Sequence, residues 1–419
     1  MIKLAIILSC LMLVSISLVN SKRFQSSNEN IPDDPGAGVL DPVEPDNVPD
    51  DLTNVAFPSG ETVPGKPVDL SDDLAAGDIH PASERIGPAE FNKTRIYDLQ
   101  EQLAAIEHNM NGTFGVFVKN LADNSTLGYN TDQYWYLASA TKIPMAIAIL
   151  QNAEAGELSL DDEIVLIESH FVDGAGDVLW HQPGTRFRIS SLLEKMIQYS
   201  DNSATDMLFG LIGEEELNRR IRETMVPEGL GRITSILQVR LDAFSEFHEN
   251  AVNLSNMDIL HVNSTRCRIE RLDRLMARMS VGENDLNAGS IAEAFERYYR
   301  RNINSGNLEA MGFLLERLYN GELLSEDNTR YLLNVMAGVR TGDQRIKAGL
   351  PDGFRFVHKT GTQISRTVNV GIVYPGDDKG YPLIIAASVK SDDLREAENA
   401  LKEIGRIMSG VMTRQEAAL

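Results

Sequence analysis

Strand-like patterns lie only at the two ends of the folded part of this chain, and helical patterns fill the stretch between them. Residues 112–132, "GTFGVFVKNLADNSTLGYNTD", alternate apolar and polar residues around a turn, which predicts a hairpin of two antiparallel strands. Three further strand-like runs lie at 354–362, 367–375 and 381–390, whereas residues 139–335 repeat with helical periods. The order predicts an α/β fold: an antiparallel five-stranded sheet flanked by terminal helices, with an inserted all-helical subdomain.

The residues before this region have a different composition. Residues 1–23 have a basic start and an apolar run, which indicates a signal peptide or a membrane anchor, although about 16 apolar residues are few for a full bilayer crossing. Residues 24–92 are rich in proline and acids, which predicts a disordered linker. A catalytic domain is expected at 93–412, with its sheet part at 93–138 and 340–412, its helical part at 139–339, and a tail at 413–419. The protein is expected to be exported, to the periplasm or the exterior, with membrane contact through the N-terminal segment alone.

Charge and composition limit the partners and cofactors. A formal net charge of −22 argues against nucleic acid and anionic lipid, which need a basic protein surface, and favours a small-molecule or polymer substrate. The seven histidines show no ligand spacing, so no metal is expected. No other cofactor is expected either. If Cys10 belongs to the leader, Cys267 is the single cysteine of the body and no intrachain disulfide can form. We expect a monomer.

Ser139 and Lys142 lie three residues apart in "LASATKIPMAIAIL" (137–150), where an apolar helix begins. Positions i and i+3 share a helix face, so the lysine can reach the serine hydroxyl. A lysine whose pKa is lowered by burial can take the proton of a serine and make it a nucleophile. The alternative is an ordinary polar first turn.

Two later motifs carry polar groups suited to the same chemistry. Ser200-Asp201-Asn202 ends one helical pattern and precedes the next, where an ordinary N-cap is the alternative. "HKTGT" (358–362) places Lys359, Thr360, Gly361 and Thr362 on a predicted strand, and the glycine would let a substrate approach the backbone. The alternative for this strand is an edge position with a solvated lysine.

The motifs Ser-x-x-Lys, Ser-Asp-Asn and Lys-Thr-Gly, in this order on helix, loop and strand, resemble those of the penicillin-recognising serine enzymes. The 61-position step from Ser139 to Ser200 and the sheet–helices–sheet order are most similar to class A serine β-lactamases. The resemblance covers about residues 93–412 and implies a β-lactamase/transpeptidase-like fold.

The resemblance implies an acyl-enzyme cycle. Ser139 would attack a lactam or amide carbonyl, Lys142 would manage its proton, and Ser200 would pass a proton to the departing nitrogen. The backbone N–H groups of Ser139 and Thr362 would form the oxyanion hole, and Asn202 would hold the amide side chain of the substrate. The substrate carboxylate would be held by a group of cationic and hydroxyl side chains: Lys359, Thr360, Thr362 and Arg345.

The deacylation step is where the resemblance is weakest. Class A enzymes release the acyl group with a Glu-x-x-Leu-Asn element, which Glu283 to Asn287 match in sequence, with Glu283 as base and Asn287 helping to place the water. This match lies much later after Ser200 than the family spacing, behind an apparent insertion. Other alignments put Met276 in the base position, or bring Glu246 or Glu249 to the site, or supply no carboxylate.

The expected function is therefore an exported serine β-lactamase that opens a β-lactam amide. The alternatives are a DD-peptidase or other amide or ester hydrolase, or a sensor that remains acylated. The expected ligand is a β-lactam or a cell-wall peptide.

Overall fold

The computed structural model describes residues 93–265, 267–376 and 381–413. The predicted leader at 1–23, the predicted linker at 24–92 and residues 414–419 of the predicted tail lie outside the described residues. In the part of the chain that is described, no helix is both long enough and apolar enough to cross a bilayer.

An antiparallel five-stranded sheet forms the centre of the fold, with spatial order β2-β1-β9-β8-β7. Its strands are β1 (Gly112–Asn120), β2 (Thr126–Tyr129), β7 (Arg355–Gln363), β8 (Arg366–Tyr374) and β9 (Leu383–Ser391). Two short ladders lie outside it, β3 (Trp135–Tyr136) with β6 (Ser305–Gly306), and β4 (Glu163–Val165) with β5 (Arg186–Arg188). The hairpin from the start of the domain thus joins the three strands from its end, and the predicted fold class is confirmed.

Twelve α-helices lie in the described residues, two of them terminal and ten between β3 and β7. The terminal helices are α1 (Lys93–His108) and α12 (Leu394–Thr413). The others are α2 (Lys142–Glu154), α3 (Ile189–Gln198), α4 (Asn202–Ile212), α5 (Glu214–Arg220), α6 (Ile236–Ser245), α7 (Asn256–Asn263), α8 (Arg268–Met279), α9 (Ile291–Tyr299), α10 (Leu308–Tyr319) and α11 (Glu326–Ala337).

The sheet separates two apolar cores because successive side chains of a strand point to opposite faces. Val116 and Val118 pack with α1 and α12 on one face, whereas Phe117 between them packs with the helical block on the other. Helix α2 lies at the centre of that block, and every residue from Lys142 to Leu150 is buried. A helix that is apolar nearly all round is expected in a core. Because this core holds α2, the position of the N-terminus of α2 is fixed as well.

Helices α6 to α9 form an insertion with a core of its own, built around Phe244, Phe247, Phe295 and Tyr298. Tyr136 and Ala138 belong to the same core, so the insertion packs directly beneath the segment that leads to Ser139. The long gap that separates Ser200 from the candidate deacylation residues therefore contains a folded subdomain.

Candidate active site

Ser139 lies in a 3-10 helix, Ala138–Thr141, that runs directly into α2. Ala138 has φ of 45°, in the left-handed region that costs a non-glycine residue about 1–2 kcal/mol. Ala138, Ala140 and Thr141 are buried while Ser139 is half-buried. The strained turn thus exposes the serine at the surface of a rigid core, as strained backbone at functional sites often does.

Lys142 is fully buried one turn after Ser139, and its ammonium group is directed to the Ser-Asp-Asn loop. Its Nζ donates to Ser200 O at 2.5 Å, Asn202 Oδ1 at 2.9 Å and Ser200 Oγ at 3.2 Å. Burial lowers the pKa of Lys142 to about 7, although the charges of Asp201 and Asp206 oppose the shift. Near neutral pH a large fraction of Lys142 is therefore an amine that can accept a proton.

The three residues of the Ser-Asp-Asn motif divide into two roles. Ser200, with φ of 58°, and Asn202 contact Lys142. Asp201 instead caps α4 by accepting from Ala204 N at 2.8 Å, and its other oxygen accepts from the backbone of Asp177 and Val178. The N-cap interpretation is thus correct for Asp201 alone, and the cap sets the geometry of the two residues beside it.

Strand β7 brings the third motif to the same place. Lys359 is fully buried, so the solvated-lysine alternative is wrong, and its Nζ donates to Ser200 Oγ at 3.0 Å and Thr360 O at 2.9 Å. Burial and the nearby Lys142 charge lower the pKa of Lys359 well below its ordinary value. A Cβ at Gly361 would lie 2.8 Å from Leu137 O, so glycine allows β7 to pack on the turn that carries Ser139. Residues 139, 142, 200 and 359 therefore converge on one crevice.

The hydroxyl groups of the strand are positioned from behind. Thr360 Oγ1 shares a hydrogen bond of 2.5 Å with Thr341 Oγ1, and Thr362 is exposed at the crevice. Arg345, only 5% exposed, donates to Thr362 Oγ1 at 2.7 Å, to the Gly361 and Val368 carbonyls at 3.1 Å, and to Glu398 at 3.2 Å. Arg345 therefore orients Thr362 and β7, and its expected contact with a substrate carboxylate stays a prediction.

A narrow cavity of about 40 Å³ lies beside Ser139. Residues of the turn that carries Ser139, of α4 and of β7 line it. The insertion contributes Ile236, Val239 and Arg240 to its wall. The insertion is held there by Asp206, whose carboxylate accepts from Ile236 N at 2.7 Å and Leu237 N at 2.9 Å. Burial raises the pKa of Asp206 to about 6.

The sequence analysis missed Asp206 and Arg240. Asp206 follows Asn202 by four residues on α4, so helical spacing alone could have placed its carboxylate near the site. Arg240 carried no such signal because its position depends on how the insertion folds.

The assignment of Glu283 and Asn287 to the site requires a correction. Both residues are exposed, Glu283 in the 3-10 turn Glu283–Asp285 and Asn287 beside the core of the insertion, where its N–H donates to Phe247 O at 2.8 Å. The cavity beside Ser139 is walled by Ile236, Val239 and Arg240 in their place. Glu246 likewise does not line the cavity, and its carboxylate lies 3.6 Å from the guanidinium group of Arg301 on the insertion. The reason is that residues 236–303 fold around their own apolar core instead of forming a loop across the cleft.

Comparison with known proteins assigns this arrangement to a family. The model of the beta-lactamase enzyme family matches residues 98–412. Among curated relatives, a β-lactamase of Proteus vulgaris is 21% identical over 312 residues, 74% of this chain and 94% of the relative. The β-lactamase Toho-1 of Escherichia coli is 25% identical over 288 residues, 68% of this chain and 79% of the relative.

Solved structures show the same fold. PBP-A superposes with a TM-score of 0.56 at 20% identity, covering 78% of this chain and 98% of that one. A β-lactamase of Sphaerobacter thermophilus superposes with a TM-score of 0.54 at 20% identity, covering 74% of this chain and 95% of that one. The family match spans the whole sheet and the three motifs that converge on Ser139. The chain therefore belongs to the beta-lactamase enzyme family and is a β-lactamase- or penicillin-binding-type serine hydrolase.

Proposed function

We propose that this chain is an exported acyl-serine enzyme of the penicillin-binding type, which is acylated by β-lactams and by amides of cell-wall peptides at Ser139 and releases the acyl group slowly. The observation that carries the proposal is the wall of the cavity beside Ser139: the described residues that line it include Ile236, Val239 and Arg240 but no aspartate or glutamate.

Acylation is supported by the contacts of Lys142. Its pKa of about 7 makes the amine available, and Ser200 Oγ lies within hydrogen-bond distance of both Lys142 and Lys359. A proton taken from Ser139 by Lys142 can pass through Ser200 to the departing nitrogen. The serine therefore has a proton acceptor, and the departing nitrogen has a proton donor.

Slow release is supported by the state of the nearby acids. Asp201 and Asp206, whose charges act on Lys142, each use both carboxylate oxygens to accept from backbone N–H groups. Asp173, on the far side of Arg240, accepts from Arg240 and Asn263. Although burial raises the pKa of Asp206 to about 6, the oxygens of all three carboxylates are engaged in these bonds, and none of the three lines the cavity beside Ser139.

The structural neighbours support the same proposal. A mutant of PBP-A has been solved as an acyl-enzyme complex with penicillin G, and it superposes on this chain with a TM-score of 0.57 at 20% identity. A second candidate is a hydrolytic β-lactamase, which the names of the curated relatives favour. Export is proposed from residues 1–23, read as a signal peptide or a membrane anchor, and the linker at 24–92 would give an anchored domain reach into cell-wall material.

One experiment distinguishes the two candidates. The purified protein is mixed with a chromogenic cephalosporin, and product per enzyme is followed for an hour. We expect one equivalent of product in a burst, then very slow turnover, and a mass increase on Ser139 in the peptide digest. Sustained rapid turnover would favour the β-lactamase, and an adduct-free Ser139 with no product would overturn both. The Ser139→Ala variant is the control for reaction at any other nucleophile.

A further inference from the structure

The insertion contributes a buried arginine to the crevice. Arg240 of α6 is 6% exposed and lines the cavity beside Ser139. Its Nε donates to both oxygens of Asp173, at 3.0 and 3.1 Å. Within the described ranges, the hydrogen bonds of this side chain come from Nε alone, so the N–H groups of Nη1 and Nη2 remain for a ligand.

A second buried arginine stands behind the first. Arg271 of α8 is 9% exposed; its Nη2 donates to Thr265 O at 3.0 Å, and its buried Nε has no hydrogen-bond partner among the described residues. The charge of Arg271 interacts with those of both Asp173 and Arg240. The carboxylate of Asp173 thus interacts with two guanidinium groups.

The charges near Arg240 are partly balanced. The carboxylate of Asp206 interacts with both Lys142 and Arg240, and burial lowers the pKa of Lys142 and of Lys359, so neither lysine is a fixed positive charge. The preference for an anionic ligand therefore comes from the free N–H groups of Arg240, since a charge-assisted hydrogen bond from a guanidinium group is stronger in a site shielded from water.

The position of Arg240 indicates which part of a substrate it meets. The cavity that it lines also contains Asn202 on one side and Thr362 and Gln363 of β7 on the other. The expected role of Asn202 is to hold the amide of the acyl side chain, so the cavity lies along the acyl side of the crevice, apart from Lys359 and Thr360.

We propose that Arg240, supported by Arg271, selects acyl donors that carry a carboxylate on the acyl side, close to the carbonyl attacked by Ser139. This inference rests on the proposed acylation of Ser139 and names the substrate class of that site. The selected acyl donors share a negatively charged substituent on the acyl group, and they can be β-lactams or peptides.

Three penicillins with the same nucleus test the inference on the unmodified protein. Carbenicillin carries a carboxylate on the side-chain α-carbon, benzylpenicillin carries no charge there, and ampicillin carries an ammonium group. Their second-order rate constants for acylation are measured by competition with the chromogenic cephalosporin. We expect carbenicillin to react about tenfold faster than benzylpenicillin, and ampicillin to be the slowest.

One variant and a control test the residue. Arg240→Gln removes the guanidinium group while Asp173 still accepts from Asn263 and interacts with the charge of Arg271, and the ratio of carbenicillin to benzylpenicillin rates is taken within each variant. Arg240→Gln should bring this ratio to about one, whereas Arg297→Gln, at a partly exposed arginine paired with Glu293, should leave it unchanged. If Arg240→Gln does not fold, the order of the three penicillins on the unmodified protein decides.

Equal rates for the three penicillins, or a preference for ampicillin, would overturn the inference while leaving the acylation of Ser139 intact. Failure of all three to acylate Ser139 would instead overturn the proposed function on which the inference rests.

Discussion

The backbone of Gly361 packs against the backbone of Ser139 so closely that a Cβ at residue 361 would lie 3.0 Å from the Ser139 nitrogen. That nitrogen is one of the two expected oxyanion donors, so strand β7 and the nucleophile turn must keep this separation for the site to form. The contact joins residues 222 positions apart in the sequence.

Gly361→Ala should slow acylation by at least about tenfold, because the added methyl group must push β7 away from Ser139. The rate constant for acylation by benzylpenicillin, followed by mass spectrometry, measures the effect. Gly210→Ala is the matched control: this helical glycine has open space around it, so alanine should leave acylation unchanged and stabilise the fold by roughly 0.5–1 kcal/mol. Equal acylation rates for the two variants would contradict the contact.

The acylation rate should rise with pH through about 7. Burial lowers the pKa of Lys142 to about 7, so the amine that accepts the Ser139 proton is the minor form below that pH and the major form above it. The pH profile of the acylation rate constant between pH 5 and 9 measures this. Lys142→Arg, which remains protonated throughout, should abolish acylation at every pH, and a profile that falls across pH 7 would contradict the role of the amine.

Asp206→Asn should move the midpoint of that profile to lower pH. The Asp206 charge raises the pKa of Lys142, so its removal makes the protonated lysine less favourable. Since the asparagine can accept from just one of the two backbone N–H groups, the free energy of unfolding in urea should also fall by about 1–3 kcal/mol. Glu154→Gln, at the opposite end of α2, is the control, and a midpoint that stays in place or rises in Asp206→Asn would contradict the coupling.

Ile236→Glu should speed release of the acyl group. Residue 236 is half-buried in the wall beside Ser139, and a carboxylate there could activate a water molecule. We expect release at least about tenfold faster, since a well-placed general base contributes about 10²–10⁴-fold. The return of unmodified protein after removal of excess benzylpenicillin measures it. Ile236→Gln has the same shape without the base, and identical release rates in the two variants would show that the wall does not limit hydrolysis.

The fold class and the principal motifs could be predicted from the sequence because both depend on local patterns. Alternating apolar residues marked the strands, helical periods marked α2, α3, α4 and α10, and the three motifs were short enough to stand out. The N-cap of α4 is likewise a local requirement of the backbone.

Some local patterns were misleading where the environment decided the role. "ENDLN" at 283–287 matched a catalytic element letter for letter, yet the structure exposes it on the insertion. The sequence around Lys359 was compatible with a lysine exposed to solvent. In the structure, its position between Ser200 and the backbone of β7 buries it completely.

The sequence by itself determined that the Ser-x-x-Lys, Ser-Asp-Asn and Lys-Thr-Gly motifs occur in the order that this family requires. Only the tertiary structure decided which residues of the insertion face Ser139, because residues 236–303 are placed by packing around Phe244, Phe247 and Tyr298 and by two backbone bonds to Asp206. Such placement depends on contacts between residues far apart in the chain, which no periodicity or short motif encodes.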